Sequence, residues 1–135
     1  MEYDYLKDKI TDSLQEKENH ILAMDYSSSL KKIVTAGKDC IVRCYDQQTK
    51  KVIRQYDKGS FFSPGHSNRI FSVKFVKDHP EVVITGGWDC SIFLWDLRQW
   101  KSIDVFYGPK VSGDTIDFWN NNILIGSHRN VDSLE

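Results

Sequence analysis

Short stretches of alternating apolar and polar residues recur along this chain, separated by tight polar turns. The clearest stretch covers positions 69–76. There Phe71, Val73 and Phe75 fall on one face of an extended strand, and Ser72 and Lys74 fall on the other. Runs at 82–85, 91–96 and 102–106 follow it. An equivalent set lies earlier, at 21–27, 32–36, 41–46 and 51–56, and a shorter one later, at 115–119 and 123–126. Turn-forming residues punctuate the runs at Lys58-Gly59-Ser60, Asp78-His79-Pro80, Gly86-Gly87-Trp88-Asp89 and Gly108-Pro109. The pattern predicts an all-β chain of antiparallel strands. Only the first 19 residues break the rhythm. Leu6, Ile10 and Leu14 fall four apart there, a spacing that predicts a short surface helix or a loose arm.

The runs repeat. Val34-Thr35-Ala36-Gly37-Lys38-Asp39-Cys40 aligns with Ile84-Thr85-Gly86-Gly87-Trp88-Asp89-Cys90 at an offset of 50 positions (85 − 35). The same offset carries Tyr45-Asp46 onto Trp95-Asp96. A third copy, Leu124-Ile125-Gly126-Ser127-His128-Arg129, lies 40 positions beyond the second (125 − 85). Periods of this size belong to arrays in which each repeat is one supersecondary unit.

The second unit carries the most specific motif. Gly65-His66 opens it, Trp95-Asp96 closes it, and 28 residues lie between (94 − 66). This unit resembles a WD repeat, the four-stranded antiparallel blade of a β-propeller. The resemblance implies blade one at 20–58, blade two at 59–108 and a partial blade three at 109–135, whose third strand would start near Val131. Closed propellers have about 4–8 blades, so the chain reads as a partial propeller: part of a larger ring, a truncated product, or a piece completed by another chain. In that setting residues 1–19 could also supply a ring-closing strand.

The family's polar network maps onto His66, Thr85, Asp89 and Trp95. Asp89 can accept from the imidazole, the imidazole can engage the Thr85 hydroxyl, and that hydroxyl can accept the Trp95 indole N–H. An aspartate, a histidine and a hydroxyl also resemble a nucleophilic triad. Thr85 lies within a strand, however, and the spacing already has a structural explanation. Blade one keeps Thr35 and Asp39, but Tyr45 replaces the tryptophan. The position matching His66 falls in Gln15-Glu16-Lys17, so no histidine is there, and this blade is expected to rely on packing against its neighbours. In blade three Arg129 stands where the aspartate would be, and the same reliance is expected.

The resemblance also implies a partner surface at the top of the ring. It comprises Arg69, Phe71 and Trp88 from blade two, His20, Leu22 and Lys38 from blade one, and Asp114 and His128 from blade three. Aromatic and arginine side chains dominate interface hot spots, and Arg69 could stack on Trp88. Separately, Trp95-Asp96-Leu97-Arg98 resembles the box by which substrate receptors of cullin-4 ubiquitin ligases dock on their damaged-DNA-binding adaptor. There Asp96 and Arg98 would form the docking pair.

Composition narrows the function classes. A formal net charge of −1 gives no bulk attraction to nucleic acid or an anionic membrane. Met1-Glu2-Tyr3-Asp4 is acidic and unlike a signal peptide, and no apolar run approaches ~18 residues. Three cysteines, Cys40, Cys44 and Cys90, lack disulfide-style spacing and fit a reducing compartment. Cys40 and Cys90 share one slot in successive repeats, which core packing would explain. No glycine-rich phosphate loop or His-Cys metal cluster appears in the sequence. The expectation is a soluble, cytoplasmic, non-enzymatic scaffold or adaptor. It would use no cofactor and no metal, and would bind protein or peptide partners, among them the rest of its own propeller or a multi-subunit complex.

Overall fold

The computed structural model describes residues 2–4, 6 and 9–128. Strands β1 (Glu2–Asp4) and β2 (Lys9–Asp12) pair antiparallel, so the helix expected in the first 19 residues does not form. Tyr3, Ile10 and Thr11 are aromatic or β-branched and favour extended backbone. Leu6, one member of the expected stripe, is 81% exposed.

Two four-stranded antiparallel sheets follow. The first contains β3 (Ile21–Ser27), β4 (Lys32–Gly37), β5 (Val42–Asp46) and β6 (Val52–Tyr56), hydrogen-bonded in that order. The second contains β7 (Ile70–Val76), β8 (His79–Gly87), β9 (Ser91–Asp96) and β10 (Ser102–Tyr107), in the same sequential order. β11 (Ile116–Trp119) and β12 (Asn122–Ile125) form a final antiparallel pair. The third strand expected near Val131 lies outside the described residues. No helix among the described residues is long and apolar enough to cross a membrane.

Alternate residues of β8 and β9 serve two separate cores. Val83, Phe93 and Trp95 join Ile70, Val73 and Leu97 against Val34, Ala36, Val42, Cys44 and Tyr56 of the first sheet. Ile84 and Ile92 face the other way, onto Val111 and Ile116. Each fully buried aliphatic side chain here contributes about 1.5–3 kcal/mol. Polar ties cross the first interface. The Tyr56 hydroxyl donates to the carbonyls of Asp96 (2.7 Å) and Gln99 (3.0 Å). The Phe75 amide donates to Asp25 at 2.8 Å, and the Arg54 guanidinium sits 3.9 Å over the Trp100 ring.

Three local expectations are corrected. Phe71 does not share a face with Val73 and Phe75. The β7–β8 register shifts between Ile70 and Ser72, and this bulge turns Phe71 toward the second core. β3 has the same irregularity between Ile21 and Ala23, at Leu22. Second, His79 and Pro80 lie in β8 and not in a turn. Val76 pairs with His79, and a register shift between Phe75 and Val76 accommodates the proline. Gly86 and Gly87 also belong to β8. A Cβ on Gly87 would lie 2.4 Å from the Arg69 carbonyl oxygen, so glycine is what lets the strands close together here. Third, Cys40 and Cys90 share their slot because both are turn residues with positive φ, 67° and 56°. They are half-buried and do not belong to the core.

Candidate functional site

β8 directs Thr85 to the same side as Val83, β9 brings Trp95 beside it, and the loop before β7 lowers His66 onto both. The Trp95 indole N–H donates to Thr85 Oγ1 at 2.8 Å. That oxygen lies 2.7 Å from His66 Nε2, and His66 Nδ1 lies 2.8 Å from Asp89 Oδ2. A carboxylate only accepts, so the imidazole proton sits on Nδ1 and Nε2 accepts the Thr85 hydroxyl. Asp89 also accepts the amides of Ser67 (2.9 Å) and Ser91 (3.2 Å). Burial pushes its carboxyl pKa up, but the hydrogen bonds from His66, Ser67 and Ser91 outweigh burial and hold it below the usual range. The side chains of His66 and Asp89 are 0% and 4% exposed, so a substrate has no access to them. The three side chains thus form one buried hydrogen-bonded chain with Trp95.

Blade one has its own network, and it corrects the expectation that this blade relies on neighbour packing. Glu16 occupies the histidine slot. It lies 50 positions before His66 (66 − 16), and its side chain is 3% exposed. Its carboxylate accepts from the Thr35 hydroxyl, the Asn19 amide, the Tyr45 hydroxyl at 2.9 Å and the Arg43 guanidinium at 2.9 Å. Arg43 then reaches Asp39 at 2.7 Å. Thr35, Tyr45 and Asp39 thus fill the slots of Thr85, Trp95 and Asp89, and Arg43 completes the link to the aspartate that the imidazole makes in blade two. Burial, followed by the hydrogen bond to Glu16, pushes the Tyr45 hydroxyl pKa well up. The signal was present in the sequence, since the repeat offset lands on Glu16. Residue type alone hides it, because a carboxylate needs Arg43 beside it to span what one imidazole spans.

At the end of the blades where β7 begins and β8 ends, Trp88 is 39% exposed. Its amide donates to the Arg69 carbonyl at 3.0 Å, and Lys38 makes the equivalent bond to His20 in blade one. Phe71 packs on Trp88 with ring centroids 5.0 Å apart. The Arg69 guanidinium lies 5.7 Å from the ring centroid and the Lys110 ammonium 5.5 Å from it. The structure therefore brings Arg69, Phe71 and Trp88 together and adds Lys110, which sits in an irregular loop outside the repeat alignment. Lys38, Leu22, His20 and His128 are exposed. Asp114 is exposed but engaged by Ser72 (3.2 Å) and Lys74 (3.1 Å). At the opposite end, Arg98 is 70% exposed and holds Asp96 through two side-chain bonds of 2.9 and 2.6 Å. Arg98 holds the Asp96 carboxyl pKa down to about 2. Among the described residues no group of His, Cys, Asp and Glu could hold a metal ion.

The family model of the WD domain, G-beta repeat, matches residues 9–46 and 58–96. The chain belongs to the WD-repeat family. A U3 small nucleolar RNA-associated protein 21 homolog from Schizosaccharomyces pombe is 31% identical over 109 residues, covering 81% of this chain and 11% of that protein. The E3 ubiquitin-protein ligase COP1 of Arabidopsis thaliana is 26% identical over 87 residues, covering 64% of this chain and 10% of its own length. The solved structure of U3-55K superposes with a TM-score of 0.74 at 17% identity, covering 85% of this chain and 35% of that one. The chain thus spans about a tenth of these curated relatives. Each four-stranded sheet is a WD blade, and the arc of two blades and a strand pair is a partial propeller. WD propellers generally serve as protein-interaction scaffolds.

Proposed function

We propose that this chain is a scaffold or adaptor segment that meets protein or peptide partners at the Trp88 end of its blades. The carrying observation is the cluster of Arg69, Phe71 and Trp88, an exposed aromatic and arginine group on a strand pair fixed by the buried network beneath it. A partner would meet a preformed surface with little ordering cost. We expect protein contacts and not nucleic-acid contacts, given the near-neutral net charge. One relative is named for association with the U3 small nucleolar RNA, so RNA is the competitor against which protein binding is to be measured. The free thiols of Cys40, Cys44 and Cys90 favour the cytoplasm. The test is Trp88→Ala with Arg69→Ala in the intact protein. Lost partner capture at unchanged stability supports the site, and unchanged capture removes it.

A second reading rests on Arg98. The Asp96 clamp holds an exposed guanidinium in one orientation at the end of the Trp95-Asp96-Leu97-Arg98 box, as docking on the cullin-4 ligase adaptor would use it. One relative is itself named an E3 ubiquitin-protein ligase. Co-purification with the adaptor that Arg98→Ala abolishes would support this reading, and failure to co-purify would end it.

A further inference from the structure

The Trp88 end of the blades gathers four cations that make no ion pair among the described residues. Lys38, Lys58 and Arg69 are exposed there and Lys110 is half-buried. The four lie along one connected path. Lys38 lies in the blade-one turn equivalent to that of Trp88, bonded to His20. Lys58 precedes Gly59, whose amide bonds the His66 carbonyl at 2.9 Å, three residues before Arg69. Lys58 and Arg69 both lie near enough to the Cys40 thiol in the blade-one turn to pull its pKa down, although burial, Asp39 and Asp89 outweigh them and raise it. Arg69 and Lys110 both reach Trp88. Among the described residues no carboxylate pairs with any of these four cations. Of the nearby carboxylates, Asp39 is paired with Arg43 at 2.7 Å and Asp114 with Lys74 at 3.1 Å, Asp89 is buried on His66 at 2.8 Å, and exposed Asp57, bonded only by the Gln55 amide at 2.6 Å, keeps its charge. Unpaired cations are not confined to this end: Lys32 pairs with Glu81 at 3.1 Å, but Lys31, Lys51, Lys77 and Lys101 in the turns at the opposite end are exposed and, among the described residues, have no carboxylate partner either.

Apolar groups lie along the same path. The connector from β6 to β7 folds into a small turn closed by a bridge between Ser60 and Ser63. Its tip presents Phe61 and Phe62, 96% and 91% exposed, with the rings edge to face at 5.2 Å. Two phenylalanines left in water are unfavourable unless something covers them. Trp88 and Leu22, each about two-fifths exposed, extend the apolar contribution into the blades.

We infer that this end of the blades binds an acidic peptide segment that carries apolar side chains between its carboxylates. Its carboxylates would meet Lys38, Lys58, Arg69 and Lys110, and its apolar side chains would meet Phe61, Phe62 and Trp88. This inference rests on the partner surface proposed above and names the chemistry of the partner. Single-stranded RNA is the rival occupant, since bases could stack on the open rings of Phe61 and Phe62, but the net charge of −1 and the exposed Asp57 and Asp114 carboxylates give a continuous polyphosphate less attraction.

The test measures binding of a fluorescein-labelled peptide alternating Glu with Leu and Phe to the intact protein. The comparisons are the same peptide with Lys in place of Glu, a short oligouridine, and phosphatidylserine vesicles. The acidic peptide should bind best and weaken as salt rises. Arg69→Ala with Lys110→Ala should weaken it about tenfold, and Phe61→Ser with Phe62→Ser should also weaken it, with thermal melting unchanged in both. No binding of the acidic peptide, binding indifferent to both variants, or equal or better binding of the RNA, the vesicles or the lysine peptide overturns the inference. If the lysine peptide binds and Trp88→Ala abolishes it, only the partner's charge is wrong and the surface stands. If no probe depends on Trp88, the surface falls as well.

Discussion

Glu16 gathers four donors, from Thr35, Asn19, Tyr45 and Arg43, on one buried carboxylate. Replacing it with alanine leaves Thr35 and Tyr45 hydroxyls buried without their acceptor and Arg43 with half of its charge compensation. We predict that Glu16→Ala destabilises the protein by about 3 kcal/mol in chemical denaturation, and that Glu16→Gln loses clearly less. Asp96 gives a pH prediction. Its folded pKa, about 2, lies below the ordinary 3.8, and the hydrogen bond from Arg98 is the main cause. A depressed carboxyl stabilises the fold above its unfolded pKa and loses that contribution as pH falls through the folded value. The Asp96–Arg98 contribution is therefore present above about pH 4 and lost toward pH 2. In Arg98→Ala, carboxyl NMR titration should find Asp96 close to 3.8. Cys90 adds a third prediction. Its φ of 56° costs an L-residue about 1–2 kcal/mol, so Cys90→Gly should raise the melting temperature. A lowered melting temperature would mean the thiol contributes more than the turn.

The strands were legible in the sequence to within a few residues because most of them have one clearly apolar face. The blade faces were less legible. The alternation of Phe71, Val73 and Phe75 suggested a single face, but a bulge changes parity and leaves no mark on composition. The N-terminal hairpin is not legible in the sequence because a four-residue apolar spacing fits a helix as well as scattered strand residues. The His66 network was readable from its four residue types, whereas the Glu16 network required seeing that a carboxylate and an arginine together span what one imidazole spans. Lys110 and the Phe61-Phe62 tip lie in connectors outside the repeats, so alignment of the repeats could not reach them. Between the two complete blades, Tyr56 is the main polar tie. Tyr56→Phe keeps the ring tilted against Trp95, centroids 4.6 Å apart, but removes both carbonyl contacts, and should cost about 1–2 kcal/mol in denaturant melts.

At the scale of the whole molecule, the described residues form an arc of wedges with an apolar flank at each end. Met24 and Tyr26, 55% and 45% exposed, face away from blade two. Trp119 and Leu124, 65% and 43% exposed, face outward from the last strand pair. Blade two is held by a core on each side, both complete blades carry a buried polar network, and the connectors at the Trp88 end stay exposed. The account therefore depends on the network under blade two being sealed until the blades come apart. Hydrogen exchange of the four indole N–H groups, read by NMR, tests this directly. Trp95 is 1% exposed and bonded to Thr85, whereas Trp88, Trp100 and Trp119 are 39%, 72% and 65% exposed. The account predicts that the Trp95 indole exchanges only through global unfolding, orders of magnitude more slowly than the Trp100 indole. Exchange of Trp95 as fast as Trp100 under native conditions would contradict it.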